Sequence, residues 1–298
     1  MRAFYCDHYE FPLPEGHRFP ADKYRKLREL LLRENILQES QLNPAPLATQ
    51  AELELVHTKQ YVREVFENTV DPNSWKRVGI PWSPEFVKRV RATVGGLLCA
   101  TRAALEDGIS GSLAGGTHHA HADRGEGFCV FNDIAVCTRM LQAEGRARRV
   151  LIIDLDVHQG NGNSSIFAGD DSVFVFSMHG RQNYPFHKIP STLDVELETG
   201  TADEEYLRLL SEALPKLEAF RADFVFYQMG VDALKQDALG KLALSHEGLA
   251  ERDRRVLTWC REKKLPVALA LGGGYARPIE PTVEAYANTY RVVASLYG

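Results

Sequence analysis

The sequence lacks the segments that would place it in or across a membrane. No apolar run of about 18 residues, the length that a spanning helix needs, occurs in the chain. The N-terminus, MRAFYCDHYEF, has no apolar core of the kind that signal peptides carry. The five cysteines are odd in number and include no C-x-x-C pair, which argues against a disulfide framework and against a zinc ribbon. We therefore expect reduced thiols, a cytoplasmic location and no membrane partner.

An excess of positive charge is also missing. The formal net charge is -5, whereas nucleic acids and anionic membranes are bound by clustered excess Lys and Arg. We interpret the basic cluster at 146–149 as a solvated patch and expect no direct contact with nucleic acid. The composition, 44% apolar and 25% charged, is that of a globular protein. The length fits one large domain over residues 1–298.

Apolar periodicity predicts a series of helices. Two of them begin at clear capping signals: Thr49 with Glu52 forms a capping box, and Ser83 is followed by a first-turn Pro84. The longest loop-like stretch, 71–82, is too aromatic to be a linker. The predicted helices cover about 22–38, 50–57, 84–107, 132–144, 203–220, 246–264 and 282–297.

Four short apolar runs, without polar alternation, lie between these helices. They are VLIIDLDV (150–157), SVFVFSMH (172–179), DFVFYQMG (223–230) and PVALALGGG (266–274). Strands that are apolar on both faces indicate a mainly parallel sheet with helices on both sides, an α/β fold. Each run delivers polar residues or glycines at its end, and the carboxyl edge of such a sheet is where ligands bind.

The first run ends in Asp154, Asp156 and His158. On an extended strand, alternate residues share a face, so these three groups would project together. Taken alone, the triplet could also be a helix-capping Asp154 followed by two exposed loop residues. A further carboxylate, Asp232, follows the third run, and alone it would be read as a helix cap. Together, Asp156, His158 and Asp232 can hold a divalent ion and leave coordination positions open for water and substrate.

Two glycine-rich segments add candidate catalytic groups. His118 and His119 follow a Gly-Gly turn, and Phe128 nearby resembles a pocket wall; a bare His-His pair could equally be a satisfied core pair. Tyr275 follows three glycines after the fourth run. Such a turn alone is weak evidence, because it could cradle a phosphate or let a helix pack.

Four segments in this order resemble the motifs of the zinc-dependent histone deacetylase superfamily. They are GGTHHAHADRGEGFCVFND, IDLDVHQGNG, QMGVDAL and LGGGY, and they cover about 115–275. HQGNG, with PWSP upstream and SMHGRQNYP downstream, is most similar to the class IV type and its bacterial relatives. The resemblance implies the arginase/deacetylase fold and one zinc ion per chain. It also implies an acyl-lysine protein or peptide as substrate.

The resemblance also implies residue roles. Asp156, His158 and Asp232 would ligate zinc. His119 would be the general base and then the general acid, with His118 as an electrostatic partner that Asp154 orients, and Tyr275 would bind the substrate carbonyl oxygen. The predicted substrate-binding positions are Gly127, Phe128, Tyr184 and Gly273, the two aromatic residues forming the walls of a narrow tunnel. A structural potassium site would use Asp154, Asp156, His158, Ser177 and Met178.

One position departs from the pattern of the family. Many members have an aspartate where HQGNG places Asn161, and that aspartate would hydrogen-bond the second histidine of the pair. An amide accepts the bond without a negative charge and stabilises an imidazolium less. We therefore expect a lower pKa for His119 than an aspartate partner would give.

The predicted function is metal-dependent removal of acetyl or longer acyl groups from lysine side chains. An acetylpolyamine deacylase would use the same machinery, but Lys76 and Arg77 in the 71–82 loop do not suit a polycation. An arginase-like ureohydrolase is the other alternative. Its two-metal site needs extra carboxylates, which QGNG after His158 and ALKQD after Asp232 do not supply at the required positions.

Overall fold

The fold is built on one eight-stranded sheet. A computed structural model describes all residues, Met1–Gly298. The strands are β1 (Arg2–Tyr5), β2 (Leu42–Pro44), β3 (Ile109–Ser112), β4 (Val150–Asp154), β5 (Val173–Gly180), β6 (Leu193–Leu197), β7 (Phe224–Gln228) and β8 (Val267–Ala270). The strand order is β2-β1-β3-β8-β7-β4-β5-β6, and every neighbouring pair is parallel.

Helices cover both faces of this sheet. The helices are α1 (Lys23–Arg33), α2 (Gln50–Leu53), α3 (Lys59–Glu67), α4 (Pro72–Trp75), α5 (Pro84–Asp107), α6 (Asp133–Ala143), α7 (Asn161–Ile166), α8 (Asp203–Leu217), α9 (His246–Glu262) and α10 (Glu280–Tyr297). On one face α1 packs on α10, α10 on α9, and α9 on α8; on the other α5 packs against α3 and α6.

The central strands are apolar on both sides because each side faces its own core. Along β4, Leu151 and Ile153 join the core under α8, α9 and α10. Val150 and Ile152 join the core under α3, α5 and α6. All four side chains are fully buried. A strand with alternating polar residues would put polar groups into one of the two cores, so an unbroken apolar run is required here.

The predicted α/β class with a mainly parallel sheet is confirmed, the sheet being parallel throughout. Helix α5 has the predicted bounds, and the Ser83 side chain caps it by accepting a hydrogen bond from the Phe86 amide. The Thr49–Glu52 capping box is present, but its helix ends at Leu53 instead of 57.

Several predicted bounds were wrong. Three of the four predicted strands, now β4, β7 and β8, were too long at their carboxyl ends, because apolar residues continue beyond the last strand hydrogen bond; β5 instead extends one residue beyond its predicted end. The 71–82 stretch contains the short helix α4, which Asp71 caps by accepting from the Ser74 amide. The prediction did not include β1, β2, β3, β6, α3 or α7.

Candidate active site

The candidate site lies where five neighbouring strands end. In sheet order these are β3, β8, β7, β4 and β5. The His118–His119 pair follows β3, Tyr275 follows β8, and Asp232 follows β7. Asp154 ends β4, with Asp156 and His158 directly after it, and Tyr184 follows β5. Since all five strands run in the same direction, the segments that follow them meet at one edge. Residues up to 157 positions apart, from His118 to Tyr275, are thus brought together by topology alone.

Asp156, His158 and Asp232 form a compact set of potential metal ligands. Nδ1 of His158 lies 3.0 Å from Oδ1 of Asp156 and 2.9 Å from Oδ2 of Asp232. One donor atom from each of the three residues lies within 4.8 Å of the others. Both carboxylates are fully buried. Two carboxylate oxygens and one imidazole nitrogen, with open positions left over, match the donor set of a catalytic divalent ion.

The electrostatics of this set favour a cation. Burial lowers the pKa of His158, but the Asp232 and Asp156 carboxylates outweigh it and raise that pKa to about 10. Burial and the neighbouring Asp156 charge raise the pKa of Asp232 to about 7. Two carboxylates this close repel each other unless positive charge lies between them. The residues present therefore fit a divalent metal ion.

Backbone amides fix the two carboxylates. The Gly273 amide donates to Oδ2 of Asp156 at 2.6 Å, and the Val157 amide donates to Oδ1 of Asp232 at 2.9 Å. The prediction that Asp154, Asp156 and His158 share one face of an extended strand was wrong, since β4 ends at Asp154. The next two groups lie in the turn after the strand, and it is that turn which brings Asp156 and His158 to Asp232.

The two adjacent histidines have different partners. Nδ1 of His118 lies 2.7 Å from Oδ2 of Asp154, and Nδ1 of His119 lies 2.7 Å from Oδ1 of Asn161. Burial lowers the pKa of His118, but the Asp154 and Asp156 carboxylates outweigh it and raise the pKa. Burial, together with the charge of His118, lowers the pKa of His119 well below its ordinary value. His119 is therefore the neutral imidazole of the pair.

Glu126 supports this arrangement and was not predicted from the sequence. Its Oε1 accepts a hydrogen bond from Nδ2 of Asn161 at 2.5 Å and another from the Tyr184 hydroxyl at 3.0 Å. Partial burial raises its pKa, but hydrogen bonds from His121, Asn161 and Tyr184 outweigh this and lower it to about 2. Glu126 is thus a carboxylate, and the only signal for it was an acidic residue within the glycine-rich segment.

The Tyr275 segment is held from both sides. Its amide donates to Oδ2 of Asp237 at 2.6 Å, and its ring centre lies 6.4 Å from that of His158. Nζ of the buried Lys23, on α1, donates to the carbonyl of Gly272 at 3.1 Å and lies 5.2 Å from the Tyr275 ring centre. Lys23 was not predicted from the sequence, because it reaches the site from the far end of the chain.

A glycine is required where the His118–His119 segment crosses the Tyr275 segment. Gly116 has a φ of +75°, and a Cβ there would lie 2.7 Å from the Gly272 nitrogen. The Gly116 amide is also bound by the Asp133 side chain, at 2.9 Å. The Gly-Gly turn before His118 therefore allows the two backbones to approach closely.

A pocket of about 390 Å³ opens above the candidate ligands. Phe128 and Tyr184 line it, together with Gly127, His119 and Tyr275. The ring centre of Tyr184 lies 5.0 Å from that of His119, and that of Phe128 lies 6.0 Å from that of Tyr275. Three of the four predicted substrate-binding positions thus border this pocket. The fourth, Gly273, instead lines a smaller cavity on the inner side of the site.

The residues predicted to hold potassium lie on β4, on β5 and in the turn after β4. Asp154 pairs with Ser177 across the two strands. Oγ of Ser177 lies 2.9 Å from Nδ1 of His179. The potassium site stays a prediction.

Comparisons with known proteins agree with this geometry. A family model described as "Histone deacetylase domain" matches residues 17–290. The chain belongs to the histone deacetylase family. Histone deacetylase 2 of Arabidopsis thaliana is 33% identical over 282 residues, covering 90% of this chain and 73% of the relative. An uncharacterized protein of Picosynechococcus sp. is 43% identical over 294 residues, 98% of each chain.

A solved structure is similar throughout. The crystal structure of an HDAC homolog complexed with SAHA has a TM-score of 0.81 and 25% identity, covering 98% of this chain and 82% of that one. The chain therefore has the arginase/deacetylase fold, and its family supports a hydrolytic deacylase activity. None of its helices is both long enough and apolar enough to cross a membrane.

Proposed function

We propose that this protein is a zinc-dependent hydrolase that removes a short acyl group from the side-chain amine of lysine in proteins or peptides. The observation that carries the proposal is the convergence of Asp156, His158 and Asp232 beside the His118–His119 pair and Tyr275. When bound, a zinc ion lowers the pKa of water to about 7 and polarises a carbonyl group. Asp156, His158 and Asp232 would hold it.

The chain's own groups supply proton transfer and oxyanion binding. His119, held neutral, accepts a proton at Nε2 from the attacking water, since its Nδ1 faces Asn161. The same nitrogen then delivers the proton to the departing lysine amine. His118, whose Nδ1 faces Asp154, lies beside His119 as its electrostatic partner. The Tyr275 hydroxyl donates to the carbonyl oxygen as negative charge develops on it.

The inner cavity favours a short acyl group. It lies between α1 and α5, and its free volume is about 60 Å³. A buried water needs roughly 10–15 Å³ of such space, so the cavity has room for a few waters or a small acyl group. A long fatty acyl chain would require the surrounding side chains, Phe19, Tyr24 and Phe86 among them, to move apart.

An acetylpolyamine deacylase is the second candidate, since the metal chemistry would be the same. No carboxylate lines the pocket mouth to bind the ammonium groups of a polyamine. Of the two cations noted in the 71–82 loop, Arg77 lines the pocket and Lys76 does not. An arginase-like reaction is less favoured still. Only one group of three potential metal ligands occurs in the chain, and a two-metal site needs more.

The test is a panel of lysine peptides with acyl chains from acetyl to myristoyl, together with acetylputrescine. Each substrate is assayed before and after chelation. We expect cleavage of the acetyl peptide to be fastest and to be lost on chelation. Faster cleavage of myristoyl-lysine would contradict the short-acyl assignment, and faster cleavage of acetylputrescine would favour the polyamine alternative.

A further inference from the structure

The mouth of the pocket carries three cations and no carboxylate. Arg18, Arg77 and Lys241 are among the 15 residues that line the pocket, and none of the 15 is Asp or Glu. We call these three residues the cationic mouth. They come from three separate segments, before α1, after α4 and between β7 and α9. The chain as a whole has a net charge of -5, so this local charge is opposite in sign to that of the molecule.

The three charges are available to a ligand. All three side chains are exposed, and none forms an ion pair within the protein. Nζ of Lys241 donates to the carbonyl of Gln182 at 3.0 Å, which leaves its charge uncompensated. By contrast, the nearby Arg181 is neutralised by Glu196, at 3.0 Å, and by Glu198, at 2.5 Å.

We propose that the cationic mouth selects acyl-lysines that are flanked by acidic residues. This inference rests on the proposed function and adds the sequence context of the substrate. An acylated lysine side chain is neutral, so the charges at the mouth can interact only with groups on either side of it. Phe186, 81% exposed beside Tyr184, offers an apolar contact on the same rim. A polyamine would instead bring its remaining ammonium groups against three positive charges.

The test compares three peptides that share one central acetyl-lysine. Their flanking positions carry Glu, Gln or Lys, and kcat/KM is measured at low and at physiological ionic strength. We expect kcat/KM to be highest with Glu and lowest with Lys. The difference should shrink as salt is raised, because the Debye length falls from about 30 Å at 0.01 M to about 8 Å at 0.15 M.

Variants that remove one charge test whether the preference for acidic flanking residues comes from the cationic mouth. Arg77→Gln and Lys241→Gln should each lower the ratio of kcat/KM for the Glu peptide to that for the Gln peptide by about two- to fivefold at low salt. The matched control is Lys216→Gln, which removes the same charge from an exposed position at the end of α8, before β7 begins. That residue lies at the opposite edge of the sheet, so the ratio should not change.

The outcomes separate the two proposals. Equal kcat/KM for the three peptides, or a preference for flanking Lys, would overturn the cationic-mouth inference and leave the deacylase proposal standing. An acidic preference that Lys216→Gln removes as strongly as Arg77→Gln would also overturn it. Failure to cleave any acyl-lysine peptide, with metal bound, would instead overturn the proposed function itself.

Discussion

Glu126, the carboxylate that supports His119, does not contact the imidazole directly, because Asn161 lies between the two. An aspartate at position 161 would place a carboxylate against the ring itself. Oδ1 of Asn161 accepts a hydrogen bond from Nδ1 of His119 at 2.7 Å, and Nδ2 of Asn161 donates to Glu126 at 2.5 Å. The hydrogen bond to Glu126 therefore orients the Asn161 side chain so that its amide oxygen faces the His119 ring. The negative charge stays on Glu126. This arrangement keeps His119 neutral, as a base must be, because no carboxylate touches it.

Moving the negative charge from position 126 to position 161, next to His119, should change the pH dependence of catalysis. In the double variant Asn161→Asp/Glu126→Gln, a carboxylate would adjoin His119 and a neutral amide would take the outer position. A carboxylate stabilises the imidazolium, so the pKa of His119 rises and the base stays protonated to higher pH. The acidic limb of the kcat/KM profile should move upward by on the order of one pH unit.

The single variants are the controls. Asn161→Asp alone would bring two carboxyl groups to hydrogen-bond distance, and such a pair shares one proton, so its shift should be smaller than that of the double variant. Glu126→Gln alone should lower kcat by roughly tenfold through looser orientation, with the acidic limb unmoved. An acidic limb that stays in place in the double variant would contradict the Asn161–His119 assignment.

Tyr275 is expected to act on the oxyanion and not on metal binding. The variant Tyr275→Phe removes the hydroxyl but keeps the aromatic ring that Lys23 contacts. The hydrogen bond to Asp237 is also kept, because the backbone amide of residue 275 donates it. Loss of one oxyanion donor costs about 3 kcal/mol, so kcat should fall on the order of a hundredfold or more. Zinc content and thermal unfolding should match the wild type. Turnover close to that of the wild type would rule out the assigned role.

At the scale of elements, the site depends on close contact between the turns that follow β4, β7 and β8. A Cβ at Gly273 would lie 1.8 Å from Oδ2 of Asp232 and 3.0 Å from Oδ2 of Asp156. The variant Gly273→Ala should therefore displace a metal ligand and weaken zinc affinity by about tenfold or more. Equilibrium zinc titration measures this, with circular dichroism to show that the sheet persists. Unchanged zinc affinity would show that Asp232 is not a ligand.

The elements also show what the sequence could predict. The strands β4, β5, β7 and β8 have long apolar runs and were found, whereas β3 has the sequence ISGS and β2 has LNP, and neither carries an apolar run. Asp156, His158, Asp232 and Tyr275 were predictable because each directly follows a readable strand. Glu126 and Lys23 were not, since their roles depend on contacts with segments 35 and 249 residues away.

At the scale of the whole molecule, metal binding should be coupled to stability. Asp156 and Asp232 are fully buried, and in the metal-free protein only the His158 side chain offsets their repulsion, so a bound divalent ion should stabilise the folded state. A ligand that binds only the folded state adds about 2.7 kcal/mol at a hundredfold excess over its Kd. Chelation should lower the Tm by several degrees, and added zinc should restore it. In Asp232→Asn the Tm should respond little to either treatment; a response equal to that of the wild type would contradict the ligand assignment.

The most direct test of the account is a zinc titration of chelated protein, followed by the rate of acetyl-lysine peptide hydrolysis. If one cation lies among Asp156, His158 and Asp232, activity should be absent at first and rise with added zinc to a plateau at one equivalent per chain. Full hydrolysis by the metal-free protein, or a plateau at two equivalents, would contradict it.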